Sequence, residues 1–227
     1  MSIGIGIVAH ASRFDMAEQL AKDVEADHVS MDYGDANADS ARSNHLVVWA
    51  ELASLDTTWT LVLEDDAVLS TATTIGLSHL TQSFREELTR VLDAAPTRVV
   101  SLYLGTGNPK HWQPKIERAL KSANTWHADW LVCRSLIHAV AVVVPTVDVR
   151  GLVAFLGGRN GPIDEDITRW AMAQGYKVSY CIPSLVDHAD GPTLIAHADG
   201  KARPLSRRAW VTGSREHWNS NAVKLAI

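Results

Sequence analysis

Cysteine is scarce in this chain: two residues in 227, Cys133 and Cys181, each in apolar surroundings and not in a C-x-x-C pair. That scarcity excludes a disulfide framework and a cysteine-based zinc cluster, makes a reducing cytoplasm the expected setting, and leaves core packing as the role of both thiols. Long apolar runs are also missing; none approaches the roughly 20 residues of a bilayer-spanning helix, so no membrane span is expected. The opening Met1-Ser2-Ile3-Gly4-Ile5-Gly6 has neither a basic stretch nor a cleavage site, so no secretory leader is expected. No G-x-x-x-x-G-K-[ST] is present, which removes the P-loop nucleotidases. Internal repeats, low-complexity stretches and an interdomain linker are absent too. Excess positive charge is lacking: the formal net charge is −5, which argues against non-specific nucleic-acid binding.

What remains is an ordinary globular composition, with 46% hydrophobic residues, 21% charged residues and a mean hydropathy of −0.04. This supports one well-buried core, so residues 1–227 are expected to form a single domain. Two local biases stand out. Lys201, Arg203, Arg207, Arg208, Arg215 and Lys224 face only Glu216 in the last stretch of chain, a basic tail suited either to phosphate or to plain solvent. There are also eight tryptophans, of which Trp112, Trp126 and Trp130 lie among polar neighbours.

Hydrophobic periodicity outlines an α/β order. Ile3 to Ala9 reads as a buried strand, Phe14 to Val24 as a helix, and His28 to Asp32 as a short strand ending on an acid. Gly34 to Ser40 reads as a loop. Leu46, Trp49, Ala50 and Ala53 mark the inner stripe of a helix over 41–55. Thr58 to Leu63 is a strand running into Glu64-Asp65-Asp66. Leu80, Phe84, Leu88, Val91 and Leu92 give an amphipathic helix stopped by Pro96. Strands are expected over Arg98–Leu104, Ile137–Val144 and Lys177–Ile182, the last of them closing the sheet, with a helix from Ile163. Alternating strands and helices imply βαβ units and a mostly parallel central sheet flanked by helices, a Rossmann-like plan. Ligands of such sheets bind beyond the carboxyl ends of the strands, where His10, Asp32 and Glu64-Asp65-Asp66 gather.

Gly4-x-Gly6-x-x-Ala9 matches a dinucleotide fingerprint, but that motif requires a strand before its first glycine. Only three residues precede Gly4, and Ile5, Ile7 and Val8 make the motif itself strand-like. The two glycines are therefore read as close-packing positions within the first strand.

Leu61-Val62-Leu63-Glu64-Asp65-Asp66-Ala67 is the most informative segment. Two carboxylates about 4 Å apart repel by roughly 4 kcal/mol at intermediate dielectric. A divalent cation removes that repulsion, and Mg²⁺ or Mn²⁺ prefers such hard oxygen ligands. A solvated turn or helix cap is the alternative reading of the same residues. Val62-Leu63-Glu64-Asp65-Asp66-Ala67 resembles the acidic motif of lipopolysaccharide-type GT-A glycosyltransferases. Pro183-Ser184-Leu185-Val186-Asp187-His188 resembles the "P-S-L-V-x-H" segment near the C-terminal end of the same family. The resemblance runs loosely from Ile3 to Trp210 and is strong only at these two segments and at the aspartate-rich helix start between them. The sequence departs from the common D-x-D form, which leaves open which acid touches metal.

The resemblance implies a GT-A-like domain that transfers a sugar from a nucleotide-diphosphate sugar, UDP-sugar foremost, with Mn²⁺ or Mg²⁺ as cofactor. It implies a nucleotide-sugar-binding half over 1–100, an acceptor and catalytic half over 101–200, and a basic tail over 201–227. Asp66 and His188 are the implied metal ligands, with Glu64 or Asp65 toward the ribose or a bridging water. Gly161-Pro162-Ile163-Asp164-Glu165-Asp166, ahead of Trp170, resembles the family's aspartate-plus-tryptophan pattern. Asp164 is the expected base for the acceptor hydroxyl and Asp166 the reserve, although acids in a helix's first turn are also favoured by its dipole. His10, Ser12 and Arg13 are expected on the nucleotide, with Arg13 at the diphosphate and Asp32 accepting from ribose or base. Gly105-Thr106-Gly107-Asn108-Pro109 is expected to line the acceptor side. Small phage-encoded transferases of this resemblance act on hydroxymethylated pyrimidines in DNA. A DNA base is therefore the leading acceptor expectation and a host cytoplasm one setting, with a glycan or protein hydroxyl as the alternative. The competing classes are a non-catalytic nucleotide-sugar or glycan-binding module and a metal-dependent phosphoesterase.

Overall fold

Ten strands and six helices alternate along the chain in a computed structural model that describes residues 1–70, 83–107, 109–191, 194 and 207–227. The first half contains β1 (Ile3–His10), α1 (Phe14–Val24), β2 (His28–Asp32), α2 (Ala38–Leu52), β3 (Trp59–Glu64) and β4 (Ala67–Leu69), then α3 (Phe84–Asp93) and β5 (Val99–Ser101). The second contains α4 (Gln113–Thr125), β6 (Trp130–Cys133), β7 (Ala141–Pro145), α5 (Thr146–Gly157) and α6 (Ile163–Ala173), then β8 (Val178–Cys181), β9 (Val186–His188) and β10 (Ala222–Lys224).

Eight strands form one sheet in the order β10-β6-β8-β5-β7-β3-β1-β2, while β4 and β9 pair separately. Four of the seven neighbouring pairs in the large sheet are parallel and three antiparallel, so the sheet is mostly parallel, with β7 and the edge pair β6 and β10 running against the other strands. Helices cover both faces, and the chain is a single α/β domain as expected. Alternation in β1 explains the layering: Ile3, Ile5 and Ile7 point into one core with α1 and α3, while Val8 joins the other core with α2, α4, α5 and α6. Gly6 lies directly beneath α2. A Cβ there would sit 2.5 Å from Val48 and 2.8 Å from Leu52, so the glycine lets helix and strand approach, as the sequence suggested.

Several boundaries differ from expectation. α2 begins at Ala38 because Asn37 and Ser40 form a reciprocal capping box inside what reads as a polar loop. Its inner face is also rotated. Arg42, Asn44, His45, Val48, Trp49 and Leu52 are buried, whereas Ala50 is exposed. The strand expected over 98–104 pairs only over Val99–Ser101, and that expected over 137–144 is a strand only from Ala141. The chain before Ala141 is held by side chains instead: the Ile137 amide donates to the Tyr180 hydroxyl at 2.8 Å. β8 does not close the sheet sequence, since β9 and β10 follow it; β4, α4, β6 and α5 were also not expected. Leu80, Asn108, Lys201 and Arg203, each part of an expected feature, lie outside the described residues. No helix among the described residues is long and apolar enough to cross a membrane.

Candidate functional site

The parallel strands β1, β2, β3, β5 and β8 all point their carboxyl ends to one edge of the sheet. A cleft of about 580 Å³ opens there. Its floor is made by the ends of β1 and β3 and the approach to β7; its walls are the start of α2, the 160–164 turn and the chain around Arg207.

The acid triplet at the end of β3 divides its labour. Asp65 is 6% exposed and structural: one oxygen accepts from the His10 amide at 2.9 Å and the other from Arg13 Nη1 at 2.8 Å. The same Arg13 nitrogen donates to Asp66 Oδ2 at 2.5 Å. The charge repulsion anticipated between the two aspartates is thus relieved in part by Arg13, which faces the acids as well as lining the cleft. Asp66 is 5% exposed, and its Oδ1 has no hydrogen-bond partner among the described residues. Burial raises its carboxyl above the ordinary range; Glu64 and Asp65 add to the rise, and His188 and Arg13 oppose it.

His188 reaches this acid from the far end of the sequence. β4 continues straight from the triplet and pairs antiparallel with β9, setting Ala67 opposite His188. The imidazole Nε2 then lies 3.3 Å from Asp66 Oδ2, and the residue is 3% exposed. Glu64, by contrast, is surrounded by histidines. Its Oε1 lies 3.4 Å from His45 Nε2. Desolvation pulls its carboxyl upward, but the His45 hydrogen bond and the charges of His45, His188 and His138 outweigh this and leave it below the ordinary value. Among the described residues no set of three or more His, Cys, Asp or Glu side chains is gathered as a ready-made metal cage.

Across the cleft, α6 starts with Asp164-Glu165-Asp166. Asp164 lines the cleft and is half-buried; desolvation, with the Glu64 charge adding, raises its carboxyl to about 6. Asp166 is fully buried and does not line the cleft. It pairs with Arg42 at 3.0 Å and Arg169 at 2.6 Å, and accepts from the Gly161 amide at 3.1 Å. Arg42 also donates to the carbonyls of Gly161 at 2.7 Å and Leu156 at 2.5 Å. This buried guanidinium therefore ties α2 to the end of α5 and the start of α6, and fixes the turn that presents Asp164. Asn44 does similar work two residues later, donating to the carbonyls of Ala9 and Ser30 at 2.8 and 3.1 Å. Neither residue was singled out from the sequence. The available signal was polar side chains recurring on the inner stripe of a helix.

The remaining expected donor residues are committed locally. His10 lines the cleft, but its ring contacts Ser12 Oγ at 2.8 Å and the Gly34 carbonyl at 3.0 Å. Ser12 is exposed and does not line the cleft. Asp32 does line it, and its carboxyl is held low by the Gly34 amide and the Ser40 hydroxyl. The expected 105–109 loop does not line the cleft over its described residues: Thr106 donates to the Arg208 carbonyl through its amide at 2.8 Å and its hydroxyl at 2.9 Å. In the tail, Arg208 pairs with Asp187 at 2.9 Å and Arg215 with Asp129 at 3.1 Å. Trp130 is fully buried and donates to the Asn219 carbonyl at 2.7 Å, Trp112 is half-buried, and Trp126 is 73% exposed.

No protein-family model matches the chain, and no curated protein does. Among solved structures, the chain is similar to the inositol-1-phosphate CTP transferase from T. maritima, with 7% identity and a TM-score of 0.34. The match covers 80% of this chain and 66% of that one, just under two thirds of its length. At that level no residue role passes from one to the other.

Proposed function

We propose that the chain is a glycosyltransferase that moves a sugar from a nucleoside-diphosphate sugar to a hydroxyl acceptor with the help of a divalent cation. The observation that carries this reading is the meeting of His188 Nε2 and Asp66 Oδ2 at 3.3 Å, beside the buried Asp66 Oδ1, which has no hydrogen-bond partner among the described residues. A buried, unsatisfied acceptor of this kind is costly unless something binds it. Asp66 Oδ1 and His188 Nε2 are the atoms that would hold Mn²⁺ or Mg²⁺. Ions of the magnesium type take few protein ligands and complete their shell with water and substrate phosphates, which agrees with the lack of a full protein cage. When bound, the cation would neutralise the leaving diphosphate.

The residues of the chain supply the rest. Asp164, on the opposite wall, takes the proton of the acceptor hydroxyl. The acceptor oxygen forms its bond to the anomeric carbon as the bond from that carbon to the phosphate oxygen breaks, and the nucleoside diphosphate leaves with the electron pair. A base whose carboxyl sits at about 6 is ionised at neutral pH yet basic enough to accept that proton. Arg42 and Asp166 hold the turn in place. Asp32, at the carboxyl end of β2, is the acceptor for a ribose or base hydrogen.

Charge bears on the acceptor. Six described carboxylates line the cleft (Asp32, Asp39, Glu64, Asp65, Asp66 and Asp164) against the guanidiniums of Arg13, Arg42 and Arg207. This lining repels a nucleic-acid backbone, and with Trp130 buried and Arg208 and Arg215 paired, a hydroxyl on an uncharged glycan or on a protein fits better than a base in DNA.

The test is a thermal-shift screen of UDP-, GDP-, ADP- and CDP-sugars with and without MnCl₂, on wild type and Asp66→Ala. Stabilisation by one donor that requires metal and is lost in Asp66→Ala is the expected result; affinity lowered by more than about a hundredfold would exceed what loss of an outer-shell partner usually costs. No metal-dependent shift with any donor would overturn the reading.

A further inference from the structure

The cleft has three described guanidiniums, and two of them already serve carboxylates. Arg13 is bound to Asp65 and Asp66, and Arg42 to Asp166. Arg207 is different. It is half-buried and lines the cleft, and its side chain makes one hydrogen bond, from Nη2 to the Gly191 carbonyl at 3.2 Å. No carboxylate pairs with its guanidinium among the described residues.

Its backbone is nonetheless well anchored. The Arg207 amide donates to Asp190 at 3.0 Å, and the Tyr103 hydroxyl donates to the Arg207 carbonyl. Next to it, Ala209 donates to Asp187 at 2.7 Å and bridges to Gly105. Tyr103 in turn stacks at a tilt on His188, with ring centroids 6.1 Å apart, so this strap, residues 207–209, lies at the Asp66–His188 end of the cleft. A cation pinned by its main chain, facing a cleft otherwise dominated by carboxylates and not paired with any of them, has an anion as its natural partner. A guanidinium matches the paired oxygens of a phosphate.

Resting on the glycosyltransferase reading above, we propose that Arg207 forms a phosphate subsite that grips the diphosphate of the donor at the Asp66–His188 end of the cleft. Of the basic residues in the tail, this assigns the substrate contact to Arg207 alone among those described. Arg208 and Arg215 pair instead with Asp187 and Asp129.

The experiment uses inorganic pyrophosphate with MnCl₂ as the probe, titrated calorimetrically into the full-length wild type, Arg207→Ala, Arg207→Lys and Arg208→Ala. Thermal melts of each variant check that the strap is intact. Arg207→Ala is expected to weaken pyrophosphate by about ten- to a hundredfold, the range for losing a charged hydrogen bond. Arg207→Lys should recover part of that loss, and Arg208→Ala should bind within about twofold of wild type, the change expected of a surface pair. Wild-type affinity in Arg207→Ala, while wild type itself binds pyrophosphate, would overturn the subsite and leave the glycosyltransferase reading standing. Absence of pyrophosphate binding by wild type, together with no metal-dependent donor shift, would remove both.

Discussion

The chain carries two acid triplets, Glu64-Asp65-Asp66 and Asp164-Glu165-Asp166, and comparing them is instructive because their sequences are so alike. In each, one aspartate is locked by arginine and serves the scaffold: Asp65 with Arg13, Asp166 with Arg42 and Arg169. In each, another faces the cleft with a raised carboxyl, Asp66 or Asp164. The order is reversed, though. After β3 the last acid is the available one; at the start of α6 it is the first. A strand end alternates its side chains between faces, whereas a helix start turns them about 100° per residue, so position within a triplet says little until the element is known. The triplets also differ in counter-charge. Glu64 is flanked by histidines and Asp164 by none that lower it, and that is why one stays ionised while the other is poised near neutrality.

The largest effect should come from Asp164→Asn. With metal and donor binding retained, transfer should fall by about 10²- to 10⁴-fold, the usual contribution of a positioned base. Single-turnover kinetics with radiolabelled donor would measure it, and undiminished transfer would take Asp164 out of the chemistry. Asp166→Ala should instead act on the fold. It leaves Arg42 buried without its partner, a change that costs about 3–5 kcal/mol. Urea unfolding followed by circular dichroism checks this, and a loss under about 1 kcal/mol would erase the proposed division between scaffold and site. The gentlest prediction concerns pH. Because the Asp164 carboxyl is raised to about 6, it is protonated and unable to accept a proton below that value. The transfer rate should therefore climb as pH rises to about 6 and level off above it, with a limb of about tenfold per pH unit on the acid side. Asp164→Asn should flatten that limb, and a profile with the same limb in the variant would assign it to another group.

Much of this molecule was legible in its sequence where burial sets the pattern. Ile3–Ala9 and Phe14–Val24 announced β1 and α1 almost to the residue, because their apolar periods are long and uninterrupted. The gathering of His10, Asp32 and the first acid triplet at one edge followed from parallel strands alone. Elements stabilised by distant partners were hidden. β10 is a strand because Asn219 and Asp129 clasp the C-terminal segment against β6, and nothing within Ala222–Lys224 says so. α4 carries a short apolar face of Ile116, Ala119 and Ala123 among charges, and it was passed over although Pro114 sits in its first turn. Arg42 was missed for the opposite reason. An arginine in a helix is normally a surface residue, and only the tertiary fold reveals that Asp166 and two carbonyls await it inside.

The two-stranded pairing of β4 with β9 has a consequence for how such a protein comes into being. A nascent chain leaving the ribosome can assemble β1, β2 and β3, along with Arg13 and the first acids, while the imidazole that completes that corner is still untranslated. The pairing of Asp66 with His188 therefore has to wait until synthesis has passed β9.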